Sequence, residues 1–154
     1  MHHATKTQKE IGGKIPKSLY FPVLSFAPIY DSGSSLGREL TEEKAEFYLQ
    51  SEHDLQNYIR RGVSEIHWNN KKLNHFDLIL RLLESDYAPV VKECISTIQE
   101  KFDLSVIKDI IQNIDSNVPE SHNSYNISES RKMLIFKMIT LRFEKLSALL
   151  HERI

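Results

Sequence analysis

A single cysteine, Cys94, stands among the 154 residues. No internal disulfide can therefore form, and no second thiol sits at zinc-ligand spacing. This excludes the disulfide-stapled secreted scaffolds and points to a reducing compartment. Charge of one sign is also missing, because 20 Lys and Arg meet 21 Asp and Glu for a net charge of -1. A global electrostatic case for nucleic-acid binding is thereby removed, and any basic surface has to be local. No stretch approaches the roughly 20 apolar residues of a membrane span, and residues 1–10 lack the apolar core of a secretory signal. The expectation is a soluble, cytoplasmic protein with no membrane partner and no direct nucleic-acid partner. No repeat of fixed period and no low-complexity tract occurs, which argues against a solenoid.

Glycine and proline are scarce, five of each, and unevenly spread. Up to Leu40 they punctuate the chain at Gly12, Gly13, Pro16, Pro22, Pro28, Gly33 and Gly37, between β-favouring residues such as Leu19, Tyr20, Phe21, Val23 and Leu24. A short hairpin or irregular β-ribbon is expected there. After Leu40 the texture changes to charged residues with apolar ones recurring at three and four, which is the helical period. The fold class expected is mainly α: an N-terminal β-hairpin or ribbon followed by a multi-helix bundle. A chain of this length suits one domain over 1–154, with an extended segment 1–40 and a helical bundle 41–154.

Helix boundaries follow from capping chemistry. Thr41 caps a helix to about Gln50, with Glu42 and Glu43 at the positive end of its dipole and Ala45, Tyr48 and Leu49 facing inward. Ser51 and Asp54 have capping-box spacing for a second helix that ends at Gly62 after Arg60-Arg61. Residues 63–72 hold Trp68 beside an Asn69-Asn70 turn, so a small strand or loop is expected. Asn74 caps a helix carrying Phe76, Leu78, Ile79, Leu82 and Leu83, broken before Pro89. Two more apolar sets follow, Val90 to Phe102 and, after Asp103, Leu104 to Ile114. In the first of these Cys94 is expected on the buried face with Val90, Val91 and Ile98, as a structural thiol. Residues 116–126 read as a mobile loop. The last helix should start near Ser128 and run to the C-terminus, about 37 Å long at 1.5 Å per residue, as the central beam of the domain.

One segment carries chemistry. Phe26-Ala27-Pro28-Ile29-Tyr30 leads into Asp31-Ser32-Gly33-Ser34-Ser35-Leu36, placing a carboxylate at the end of an extended run and before a hydroxyl-rich turn. On the residues alone Asp31 reads either as a turn-opening aspartate bonded to its own backbone or as a ligand holding a divalent metal against phosphate. Arg60-Arg61 and Lys71-Lys72 could form a small basic patch, or simply be charge pairs at element ends. His67 and His75 lack a third ligand at a diagnostic spacing.

The eleven residues Phe26 to Leu36 resemble the C-terminal lobe of the HipA-like serine/threonine kinases, whose aromatic-Asp pair after an Ala-Pro step does the work of Asp-Phe-Gly in ordinary protein kinases. Residues 64–68, 71–78 and the helix from Arg131-Lys132 to Arg142 are similar in texture to that family. The resemblance implies that Asp31 is a magnesium ligand and part of the cofactor site, with Mg and ATP as cofactors. The family's catalytic loop has the form Asp-Arg-His-x-x-Asn. If His2 takes the histidine's place, the catalytic Asp falls before Met1 and Thr5 stands where the metal-binding Asn belongs. The expectation is thus a truncated or split lobe with no catalytic residue of its own. Its expected partners are a missing N-terminal kinase lobe, an antitoxin-like protein or a second copy. The alternative expectation is a non-catalytic helical interaction module.

Overall fold

The computed structural model describes residues 36–151, all within the compact unit Gly33–Ile154. The expected N-terminal hairpin or ribbon lies outside the described residues except for its end, a turn over residues 36–40. The described chain is mainly helical with one small antiparallel sheet.

Two short helices, α1 (Glu42–Gln50) and α2 (Glu52–Arg61), share Ser51 as a hinge. Thr41 Oγ1 accepts from Lys44 N–H to cap α1, and Ser51 Oγ accepts from Asp54 N–H at 3.3 Å to cap α2. The Ser51 hydroxyl also donates to Asp54 Oδ2 at 2.6 Å. In a full capping box that carboxylate would accept from the cap's backbone N–H instead, but Ser51 N–H is already bonded to Phe47 O as the C-cap of α1.

Strands β1 (Val63–Trp68) and β2 (Lys71–Asn74) form the hairpin, with Trp68 opposite Lys71 and His67 opposite Lys72. Asn69 and Asn70 both have positive φ, 49° and 62°, as a two-residue hairpin turn requires, and asparagine tolerates this region at low cost. Register slips between Val63 and His67, so β1 carries extra residues relative to β2.

Asn74 closes β2 and caps α3 (His75–Leu83), accepting from Asp77 N–H at 2.8 Å. Pro89 then sits in the first turn of α4 (Ala88–Lys101), where its missing N–H costs nothing. Asp103 caps α5 (Leu104–Gln112) through Ser105 and Val106 N–H. Residues 116–126, expected as a mobile loop, contain a 3₁₀ helix, Glu120–Tyr125, kinked at His122. The last helix, α6 (Glu129–His151), packs against α1, α2, α4 and α5 and is the central beam that its apolar pattern predicts.

The main core gathers on α6, where Leu134 and Met138 are fully buried among Leu40, Ala45, Leu55, Ile59, Phe76 and Leu149. Removing each such large side chain from water stabilises the fold by roughly 1.5–3 kcal/mol. The other side of α6 meets α4 and α5, with Phe102 and Phe143 stacked at 3.5 Å between centroids. Here one expectation is corrected. Cys94 is exposed, because α4 buries Ile95 and half-buries Val91, while Val90, Cys94 and Ile98 are left on its open side. In α5 only Ile111 is buried, while Leu104, Val106 and Ile110, and Ile114 just beyond the helix, are exposed. Both helices offer more apolar stripe than α6 can cover, so local periodicity could not say which part is inside.

Candidate functional site

Asp31, for which the family resemblance implies a magnesium-ligand role, lies outside the described residues, and only Leu36 of its six-residue segment is described. What the structure does show is how the chain immediately downstream is held. Gly37 has φ 76°, a left-handed conformation that favours glycine, and a Cβ there would stand 3.1 Å from Leu40 Cδ1 and 3.5 Å from Met138 Sδ. This residue thus lets the turn enter against the core. Leu40 N–H closes the turn on Gly37 O at 3.0 Å, and the Leu40 side chain is buried.

Arg131, in the first turn of α6, clamps the same turn. Its Nη1 donates to Gly37 O at 3.1 Å and its Nη2 to Leu40 O at 2.5 Å, while Nε donates to Glu42 Oε1 at 2.8 Å. Ser128 caps α6 through Arg131 N–H and donates its own hydroxyl to Glu42 Oε2 at 2.6 Å. The Ser128 hydroxyl first, and Arg131 second, hold the Glu42 carboxyl below its usual range. A planar guanidinium suits this task, since one fork reaches two carbonyls and a carboxylate together.

A second tether joins the turn to α2. The Tyr58 hydroxyl donates to Glu39 Oε1, which lowers the Glu39 carboxyl's pKa, aided by the charges of Arg142 and Arg131. Burial, and then the bond to Glu39, push the Tyr58 phenol well above its ordinary value. Burial also pulls the Arg142 guanidinium down, against the opposing pull of Tyr58 and Glu39. The turn leaving the motif is thus pinned to both α2 and α6.

Across the molecule a shallow groove of about 710 Å³ opens between the end of α2, the start of α3 and the end of α6. Its floor is apolar, with Phe76, Leu80 and Leu149, and its walls carry Arg60, Arg61 and Lys145. Lys145 Nζ stands 4.7 Å over the Phe76 ring, a cation–π contact. The one carboxylate of the lining, Asp77, accepts from Asn74 Nδ2 at 2.6 Å.

Of the residues singled out by sequence, the structure therefore brings Arg60-Arg61 together with Lys145, which local pattern did not mark. Lys72 instead pairs across the hairpin with Glu65 at 3.3 Å. No group of three or more His, Cys, Asp or Glu is placed to hold a metal among the described residues, so His67 and His75 gain no third ligand. Arg131 carried one readable signal. A cation in the first turn of a helix opposes the macrodipole, and both Arg131 and Lys132 occupy that turn, which implies tertiary anionic partners. Those partners are Glu42 and Asp115. No family model, curated protein or solved structure matches the chain.

Proposed function

We propose that the chain serves as the helical C-terminal lobe of a HipA-like serine/threonine kinase, presenting Asp31 to magnesium and acting with an N-terminal lobe supplied in cis or in trans. The observation that supports this reading best is the double anchorage of the turn at Gly37–Leu40, just after the Asp31 segment. A metal-binding carboxylate contributes to phosphoryl transfer only if its backbone is held in place, because positioning and electrostatics supply most of that catalysis. Arg131 and Tyr58 tie that turn to two different helices. Phosphate-covering loop, strand lysine and catalytic Asp are not recognisable in the 154 residues, so the lobe by itself is inactive.

Calorimetry with magnesium and ATP tests the retained site. Binding heat that Asp31→Ala abolishes is expected, and no heat at millimolar ligand would overturn the reading of Asp31. Phosphate transfer by the chain alone would contradict the need for a second lobe.

The exposed aliphatic residues of α5 and of the turn after it favour a second reading, a non-catalytic helical module that self-associates or binds a protein. Leu104, Val106, Ile110 and Ile114 together place far more apolar side chain in water than isolated surface residues do. Sedimentation velocity over a wide concentration range decides it. A species that stays monomeric throughout would sink self-association.

A further inference from the structure

We propose that the groove between α2, α3 and α6 is a docking site for an acidic peptide segment that carries apolar residues among its carboxylates. Two properties of the groove point to this partner. Its cations lack countercharges: Arg60, Arg61 and Lys145 form no ion pair with any described residue. Arg60 donates only to the neutral Asn57 Oδ1, at 3.3 Å, and Lys145 faces the Phe76 ring. The nearest carboxylate on the lining, Asp77, is engaged by Asn74 at the N-terminus of α3. The adjoining hollow contributes one more, Glu144, which leaves the rim positive on balance.

The second property is the floor. Phe76, Leu80 and Leu149 give an apolar surface between the cations, and the volume, about 710 Å³, falls within the roughly 300–1,000 Å³ of binding clefts. A nucleic acid would use the cations, but a base could stack only on the Phe76 ring, over which Lys145 Nζ already stands at 4.7 Å, and would leave Leu80 and Leu149 unmatched. An acidic peptide with interspersed leucines satisfies both: carboxylates reach Arg60, Arg61 and Lys145, and an apolar side chain covers Phe76 and Leu80. Charge matching of this kind governs selection and association rate, and weakens with salt. The site lies apart from the Gly37–Leu40 turn in its residues, so it stands or falls independently of the kinase reading.

Fluorescence anisotropy with a short fluorescein-labelled peptide of repeating Glu-Glu-Leu tests it. Saturable binding is expected, weakened about tenfold by Arg61→Glu or by Lys145→Glu and unchanged by Lys108→Glu on α5. Repeats of Lys-Lys-Leu should not bind, and repeats of Glu-Glu-Ser should bind more weakly than Glu-Glu-Leu. Circular dichroism melts of the variants confirm that Arg61→Glu, an exposed change, keeps the fold. The proposal is overturned by absence of saturable binding, by equal weakening from Lys108→Glu, or by Glu-Glu-Ser binding as well as Glu-Glu-Leu. It is likewise overturned if a single-stranded oligonucleotide displaces the acidic peptide at comparable concentration.

Discussion

Arg131 ties the start of α6 to a distant segment through three side-chain hydrogen bonds. One guanidinium serves two backbone carbonyls and a carboxylate from a segment some ninety positions earlier in the chain. Charge-assisted hydrogen bonds of this kind contribute about 1.5–3 kcal/mol each in favourable settings, and their loss leaves partners unsatisfied. Arg131→Ala is therefore expected to destabilise the fold by about 2–3 kcal/mol, read as a lower urea midpoint with an unchanged slope. Arg131→Lys should recover only part of this, because an ammonium cannot fork across two carbonyls. Equal stability of Arg131→Ala and the unchanged chain would mean that Gly37, Leu40 and the Tyr58–Glu39 tether hold the turn without the clamp.

At the scale of elements, the segment between α5 and α6 depends on one ion pair. Asp115 accepts from Lys132 Nζ at 2.9 Å and from Ile127 N–H at 3.0 Å, and so brackets the 3₁₀ helix at both ends. The bond to Lys132 chiefly lowers the Asp115 pKa, and the same bond chiefly raises that of Lys132. For the lowered carboxyl, the stabilising contribution is complete above the unfolded value of about 3.9 and is lost as pH falls through the lower folded value. For the raised ammonium it is complete below about 10.4 and lost as pH rises through the higher folded value. The pair thus supports the fold across the neutral range and fails at both extremes. Asp115→Asn should flatten the acid limb of a stability-against-pH curve, and an unchanged limb would show that other carboxylates set it.

Helix α5 offers a sharper contrast between neighbours. Ile111 is 6% exposed and Ile110 is 58% exposed, one residue apart. Ile111→Ala is expected to cost about 2–3 kcal/mol through lost burial and a cavity. Ile110→Ala should fall within about 0.5 kcal/mol of neutral. Thermal melts of the two variants measure the difference. Equal effects would mean that the outward face of α5 is covered.

For the molecule as a whole, α6 is the element on which the rest is assembled. Met138 is fully buried in the main core and also lies against the Cβ position of Gly37, so it couples the beam to the anchored turn. Met138→Ala should cost about 2–5 kcal/mol and shift helical circular dichroism and Trp68 fluorescence together if the unit unfolds as one. Separate transitions would show that the hairpin unfolds on its own.

Local chemistry was readable wherever its cause lies within a few residues. Thr41, Ser51 and Asn74 cap where expected because a short polar side chain can reach only the N–H groups two or three positions on. Asn69-Asn70 turns the hairpin because few residue types tolerate two successive positive φ angles. The breadth of the α6 apolar face likewise marked it as the central helix. The Asp31 segment also owes its meaning to sequence, since the described structure begins at its last residue.

Tertiary packing decided what periodicity left degenerate. α4 and α5 each carry more apolar residues than the fold buries, so only packing selects Ile95 and Ile111 and leaves Cys94 and Ile110 outside. The Arg131 clamp and the meeting of Arg60-Arg61 with Lys145 join residues about ninety positions apart, for which no short-range spacing exists. Capping and turn formation are local free energies written residue by residue, whereas helix facing and site assembly depend on which surfaces meet, and that is set only when the whole chain packs.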